Sequence, residues 1–305
     1  MSSDLPVIGI TLGDPAGIGP EIIRAALASS RLDPRFRYRL LGGETSSGRF
    51  CPGHPTEDSA RAALDSLHES VRLLRQGTIA AVVNAPVSKH RLQPLGFAFP
   101  GQTEFYAKAF RTTDFAMMLA GPHLTVALAT CHVPLALVPG LLSIEAILRT
   151  GRLLAAYLER QSPESAVQPR ILVPGLNPHA GENGTIGREE IDVVAPAVGR
   201  LAEEWEGRVG FEGPVSPDAV FRRAVAERAA VLCLYHDQGL IPLKLLDFDE
   251  GVNHTLGLPV IRTSPDHGTA FDLAGRGLAS PASMIAAINF AARIAASRST
   301  GPRGL

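Results

Sequence analysis

Cysteine is scarce in this sequence, neither sign of charge is in excess, and long apolar runs are missing; each shortage excludes a class of protein. The cysteines Cys51, Cys131 and Cys233 are odd in number, far apart and without a CxxC pair. That usage argues against a disulfide framework and suits a reducing cytoplasm. Lys and Arg number 29 against 30 Asp and Glu, a formal net charge of -1. No basic excess points to nucleic acid, and no acidic tail suggests a solvating segment. No run approaches the roughly 18 apolar residues of a membrane span. The opening MSSDLPVIGITLGD has no positive region followed by a long apolar stretch, so no signal peptide is expected. Internal repeats and low-complexity tracts are absent as well. What remains is 305 residues, 45% hydrophobic and 19% charged, ordinary for a soluble globular chain of one large α/β domain or two lobes.

Short runs rich in Val, Ile and Leu alternate with longer amphipathic stretches. The pattern predicts strands over Val7–Leu12, Arg37–Leu41, Ile79–Val83, Ala116–Leu119, Thr125–Thr130, Ile171–Val173, Ala230–Leu234 and Pro259–Arg262. Helices are predicted over Ser143–Arg160 (Ser143 as N-cap), Gly187–Glu204 and Ser280–Ala296. Strand and helix alternating throughout imply an α/β fold with a mainly parallel sheet covered on both faces. Gly42–Thr56 reads as a surface loop and the tail STGPRGL as frayed.

The histidines carry the chemistry. Thr125–Thr130 runs into Cys131-His132-Val133-Pro134, Ile171–Val173 into Gly175-Leu176-Asn177-Pro178-His179, and Ala230–Leu234 into Tyr235-His236-Asp237-Gln238-Gly239. Each histidine stands at or just past a strand's carboxyl end, the edge where open α/β sheets bind ligands. Three neutral imidazoles meeting there would hold a divalent metal and leave positions open for substrate. The intervals between them are long, however, and placement alone leaves a shared metal site and three unrelated loop residues as equal alternatives. Cys131 and Cys233 are poorer ligands, because Cys131 faces opposite to His132 and buried cysteine is common. His54, His68 and His90 sit in polar, surface-like contexts.

Two glycine-rich turns follow strands. Gly13-Asp14-Pro15-Ala16-Gly17-Ile18-Gly19-Pro20-Glu21 lacks both the G-x-G-x-x-G spacing and the lysine of a P-loop. A structural strand-to-helix turn is therefore its better reading. Asp266-His267-Gly268-Thr269-Ala270-Phe271-Asp272 places an accessible turn before a carboxylate. Asp272 could accept hydrogen bonds from an adenosine ribose diol, and it would repel a 2′-phosphate, which favours NAD over NADP. A helix-capping loop is the plain alternative.

GDPAGIGPE (from Gly13), VVNAPVSK (from Val82), PGQTEF (from Pro100), ATCHVPL (from Ala129), GLNPHAGE (from Gly175), LYHDQGLIPLKLLDFDEGVN (from Leu234) and TLGLPVIRTSPDHGTAFDLAGRG (from Thr255) span nearly the whole chain. Together they resemble the PdxA family, 4-hydroxythreonine-4-phosphate dehydrogenases of pyridoxal phosphate biosynthesis. The resemblance implies the two-lobed isocitrate/isopropylmalate dehydrogenase fold, with the active site in the interlobe cleft. Residues 1–95 with 250–305 would form the cofactor-binding lobe, and 96–249 the metal, substrate and dimerisation lobe. It makes His132, His179 and His236 ligands of one divalent ion per site (Zn, Mg or Co), drawn from two subunits of a homodimer. It makes Gln102, Thr103, Lys244, Asn253 and Arg262 substrate contacts. DHGTAFDLAG is similar to the adenosine-binding loop of isopropylmalate dehydrogenases, which makes His267, Gly268, Thr269 and Asp272 the NAD contacts, with NADP an alternative. Gln102 departs from the family, which carries histidine there; glutamine keeps a donor and an acceptor but cannot become cationic. The chain is also shorter than the family norm between Leu41 and Ala63.

The reaction so implied is oxidation of the C3 hydroxyl of 4-phosphooxy-L-threonine to a β-keto acid that decarboxylates. Asp237, Asp218 and Lys244 are the candidates for the proton acceptor, and either aspartate could instead orient a ligand. The alternative substrates are a phosphorylated sugar acid, phospho-threonate or phospho-erythronate, or an aromatic cis-diol.

Overall fold

The computed structural model describes residues 5–42, 49–161 and 167–300. Most of the expected loop Gly42–Thr56 is described, but its residues 43–48, and residues 301–305 of the tail, lie outside that set. Among the described residues there are ten strands: β1 (Val7–Thr11), β2 (Arg37–Leu41), β3 (Ala81–Asn84), β4 (Ala116–Ala120), β5 (Thr125–Leu128), β6 (Arg170–Pro174), β7 (Gly210–Val215), β8 (Ala230–Cys233), β9 (Val252–Leu256) and β10 (Ile261–Pro265). Each strand expected from sequence appears, with its ends shifted by a few residues. β7 and β9 were not expected. β7 contains Gly210, Gly213 and Pro214, poor strand formers that an edge position tolerates. Among the described residues no helix is long and apolar enough to cross a membrane.

The chain divides into two compact units, residues 1–113 with 249–254 and 258–305, and residues 114–248 with 255–257. The lobes expected were 1–95 with 250–305 and 96–249; a division at 113 assigns Gln102 and Thr103 to the first unit.

In the first unit the strand order is β2-β1-β3-β10-β9. β1 pairs in parallel with β2 and β3, β3 in parallel with β10, and β10 antiparallel with β9. β3 and β10 are buried along their whole length; β3 reads as an apolar run up to Asn84, as a strand covered on both faces does, whereas β10 buries Arg262, Thr263 and Ser264. The helix Glu57–Arg75 starts where Thr56 Oγ1 accepts from Ser59 N while Ser59 Oγ accepts from Thr56 N, a reciprocal capping box. The C-terminal helix Ala282–Thr300 buries Met284, Ile285, Ile288 and Ala291 as it packs on β10 and β3.

The second unit has the order β4-β5-β8-β6-β7, parallel except for the β4–β5 hairpin. Leu119, Val126, Leu128, Leu172, Val231, Cys233, Leu240 and Leu243 form its core. The expected helix Ser143–Arg160 runs over Ile144–Gln161, with Ser143 Oγ accepting from Ala146 N at 3.1 Å. The expected helix Gly187–Glu204 is not uniform: a π turn over Glu190–Val194 precedes the α-helix Ala195–Glu204. The helix His236–Asp247 is held at its far end by Asp247, whose buried carboxylate takes the backbone N–H of His123 and Leu124 and sits 2.6 Å from His123 Nδ1.

Candidate active site

β5, β8 and β6 lie side by side, and side chains stitch their carboxyl ends together. Thr130 Oγ1 donates to Leu234 O at 2.7 Å, tying the end of β5 to the end of β8. Gln238 Oε1 accepts from Leu234 N at 2.7 Å while its Nε2 donates to Gly175 O at 2.9 Å, tying the end of β8 to the end of β6. Both side chains are buried. These three ends are the ones that run into His132, His236 and His179. The rings of His132 and His236 approach to 5.4 Å between centroids, tilted by 42°. His236 is the first residue of its helix, and its Nδ1 lies 2.6 Å from Asp237 Oδ1. A carboxylate can only accept, so Nδ1 carries the proton and Nε2 keeps its lone pair for a ligand. Among the described residues no three His, Cys, Asp or Glu side chains gather closely enough to hold a metal ion. The three histidines therefore do not form a closed site within one chain.

His179 stands on unusual backbone. His179, Ala180, Gly181, Glu182 and Asn183 all have positive φ, from 45° to 79°, so the segment turns as one left-handed coil. Each non-glycine residue there costs about 1–2 kcal/mol, and such runs persist only where their surroundings over-determine them. The anchor is Glu190. Its Oε1 accepts from the N–H of Leu176 and of Asn177, each at 2.7 Å, and its Oε2 accepts from Asn177 Nδ2 at 3.0 Å. Burial alone would raise its pKa, but the hydrogen bonds from Asn177 and Leu176 outweigh that and hold the carboxyl below its ordinary range.

A second cluster surrounds Arg262 in the first unit. The residue is 3% exposed, and burial lowers its guanidinium to about 10. Nε donates to Asn84 Oδ1 at 2.8 Å; one terminal nitrogen lies 3.3 Å from Asn253 Oδ1 and 3.5 Å from Thr103 Oγ1. All three partners are neutral. Asn84 is oriented in turn, because its Nδ2 donates to Tyr106 Oη at 2.9 Å and to Thr11 Oγ1 at 3.2 Å, and Tyr106 Oη is 2.6 Å from Ser70 Oγ. The Glu104 carboxylate favours the charged form, but burial outweighs it, and a bound anion would relieve the remaining cost. Gln102, one residue before Thr103, donates from Nε2 to Ala85 O at 3.4 Å, while its buried Oε1 has no partner among the described residues. Lys244 is exposed on the helix His236–Asp247 of the second unit.

The loop from Asp266 to Asp272 is open: His267, Gly268 and Asp272 are exposed, and nothing lies within 4 Å of where a Cβ on Gly268 would stand. Thr269 is different. Its carbonyl accepts from Ile18 N at 2.9 Å, and a Cβ on Gly17 would stand 2.8 Å from that oxygen. The turn Gly13–Glu21 is thus the structural support of this loop. Within it Gly13 has φ +70° and Asp14 Oδ1 accepts from Ala16 N at 3.0 Å.

The candidate proton acceptors differ in setting. Asp237 is engaged by His236. Asp218 accepts from Ser216 Oγ at 2.6 Å, and that bond is the main reason its carboxyl lies below the ordinary range. Cys233 is in the core with its thiol pushed up by burial, and Cys131 Sγ lies 3.7 Å from Met117 Sδ. His54, His68 and His90 are exposed, as their sequence contexts suggest. Thr130, Gln238, Glu190, Asn84 and Tyr106 were not singled out from sequence. Only Glu190 left a signal, a charge in line with the apolar face that Val194, Val198 and Leu201 bury.

Comparison with known proteins identifies the family. The family described as Pyridoxal phosphate biosynthetic protein PdxA matches residues 33–291. The chain is 45% identical to the 4-hydroxythreonine-4-phosphate dehydrogenase of Erythrobacter litoralis, over 95% of this chain and 97% of that one. The crystal structure of the Klebsiella pneumoniae protein of the same name superposes with a TM-score of 0.78 at 36% identity, covering 95% of this chain and 99% of that one. Isocitrate dehydrogenase from Methylococcus capsulatus, at 16% identity and a TM-score of 0.52 over 97% of this chain and 86% of that one, shares the fold alone. The chain belongs to the PdxA family, and its Erythrobacter litoralis and Klebsiella pneumoniae relatives are named 4-hydroxythreonine-4-phosphate dehydrogenases.

Proposed function

We propose that this chain is a metal-assisted, NAD-dependent dehydrogenase that oxidises the C3 hydroxyl of 4-phosphooxy-L-threonine in the cytoplasm. The product is a β-keto acid that loses CO2 to give 3-amino-2-oxopropyl phosphate. The observation that carries the reading is the stitching of the β5, β8 and β6 ends by Thr130 and Gln238, which presents three histidines from adjacent strands.

The donor set suits a divalent ion such as Zn, Mg or Co. His132 and His236 already converge, and Asp237 fixes the tautomer that leaves Nε2 of His236 available. With His179 the set would be completed across a homodimer. A divalent ion held there supplies Lewis acidity, which eases loss of the hydroxyl proton and later loss of CO2. Dimerisation is supported by an apolar stripe: Ile241, Leu245 and Phe248 are 67%, 84% and 75% exposed along one side of the helix that begins with His236. Exposed apolar surface of that kind marks an interaction site.

Arg262 would bind an anionic group of the substrate, because its hydrogen-bond partners are neutral and the field of Glu104 only partly offsets the cost of burying its charge. Thr103 and Asn253 fix the position of that guanidinium, and Lys244 would be a further substrate contact. Gln102 would offer Oε1 to a donor on the substrate, either an amino or a hydroxyl group. NAD, accepting hydride from C3, would place its adenosine ribose on the open loop at His267, Gly268 and Thr269, with Asp272 accepting from the diol; NADP is the alternative. Of the candidate proton acceptors, Lys244 is favoured, since Asp237 is committed to His236 and Asp218 is a weakened base.

The neutral Gln102 in place of a histidine supports one second reading, a dehydrogenase of phospho-threonate or phospho-erythronate. An aromatic cis-diol with no acidic group would leave Arg262 without an anion and is disfavoured. The test is NAD reduction with 4-phosphooxy-L-threonine and phospho-threonate at equal concentrations. Faster turnover of the former is expected; a clear preference for the latter would transfer the assignment to the sugar acid.

A further inference from the structure

The left-handed coil beneath His179 needs an agent that selects it, and the space around Glu190 shows which residue that is. Glu190 is 2% exposed, and its hydrogen bonds come from Leu176 and Asn177 rather than from a cation. Three glycines clear the room for it and for the asparagine it binds. A Cβ on Gly175 would stand 3.0 Å from Glu190 Oε1, one on Gly181 2.5 Å from Oε2, and one on Gly187 2.2 Å from Asn177 Nδ2. The helix gives way as well, since Glu190 opens a π turn rather than a regular α turn. π turns of this kind recur at functional sites. The carboxylate then gathers the Leu176 and Asn177 N–H groups and the Asn177 amide immediately before the residues that turn left-handed.

We infer that Glu190 is a positioning residue for His179, fixing through Asn177 the left-handed coil that presents the imidazole. Glu190 itself touches neither substrate nor metal. This inference rests on the reading of His179 as a metal ligand. A residue that merely supported the fold would lower stability when replaced but would leave metal affinity alone.

Glu190→Gln is the informative variant, because it keeps the volume and one acceptor oxygen while turning Nε2, a donor, toward Asn177 Nδ2. Two signals are read on the full-length, metal-free protein: hydrogen–deuterium exchange of residues 176–186, and cobalt(II) affinity from the ligand-field absorption. We expect faster exchange in that segment and cobalt(II) binding weaker by roughly tenfold or more. Unchanged exchange overturns the inference. So does faster exchange with wild-type cobalt(II) affinity, which would make Glu190 structural only. His236→Ala is the control: if it binds cobalt(II) as the wild type does, the metal reading itself fails, and with it the role given to Glu190. Should Glu190→Gln not fold, Asn177→Ala, which removes the side-chain bonds to Glu189 and Glu190 and leaves the backbone bonds to Glu190, is read by the same two signals.

Discussion

Arg262 Nε donates to Asn84 Oδ1 over 2.8 Å, and that bond determines where the rest of the guanidinium points. Asn84 cannot rotate to avoid it, because its own amide nitrogen is committed to Tyr106 and Thr11. Arg262→Lys keeps the charge and loses the fork. Steady-state kinetics should show KM for the phosphorylated acid rising by roughly tenfold or more, the size of one charge-assisted hydrogen bond, with kcat much less affected. An unchanged KM would remove Arg262 from substrate binding.

The unpartnered Oε1 of Gln102 gives a sharper test of substrate identity. Gln102→Leu preserves bulk and removes the acceptor. KM for a substrate that presents a donor there should rise by roughly fivefold to tenfold, and analogues lacking the amino or hydroxyl group should be affected less. Equal effects on both would mean that Gln102 only fills space.

Acid stability should report His254. Its Nδ1 lies 3.0 Å from Arg262 O, and burial lowers its pKa from 6.5 to about 4. Between those values the unfolded chain takes up a proton that the folded protein refuses, so stability falls as pH falls through that window and is level above it. The loss reaches about 3 kcal/mol at the acid end. Urea midpoints of His254→Leu should therefore fall less than those of the wild type between pH 6.5 and 4. Parallel pH profiles would show that this histidine does not govern the acid limb.

The apolar stripe on the helix His236–Asp247 predicts a separable assembly defect. Leu245 is 84% exposed, so Leu245→Asp should leave the fold intact while shifting sedimentation from dimer to monomer. NAD reduction should disappear with the dimer. A fully active monomer would refute a site completed across two copies.

Much of this was legible in the sequence, for reasons visible in particular residues. β3 is buried along its whole length, and a buried parallel strand announces itself as an apolar run such as Ala81-Val82-Val83. The positions of His132, His179 and His236 just past β5, β6 and β8 were legible because turn residues punctuate the chain beside them. β7 was hidden by Gly210, Gly213 and Pro214, and β9 by Asn253 and His254 within its short run. The break in the expected helix Gly187–Glu204 could not be read, because a π turn leaves no mark on helical periodicity. Nor could the bonds from Gln238 to Gly175, Arg262 to Asn84 and Glu190 to Asn177 be read, since partners far apart in the chain share no local pattern.

The central claim is that the three histidines hold a divalent ion on which turnover depends. Its most direct test is the rate of NAD reduction with 4-phosphooxy-L-threonine by chelator-treated protein, before and after addition of Zn, Mg or Co, in the wild type and in His179→Ala. The expected result is loss of activity on chelation, recovery with a divalent ion in the wild type, and none in a His179→Ala protein that still folds. Undiminished activity in chelator, or wild-type turnover by His179→Ala, would contradict it.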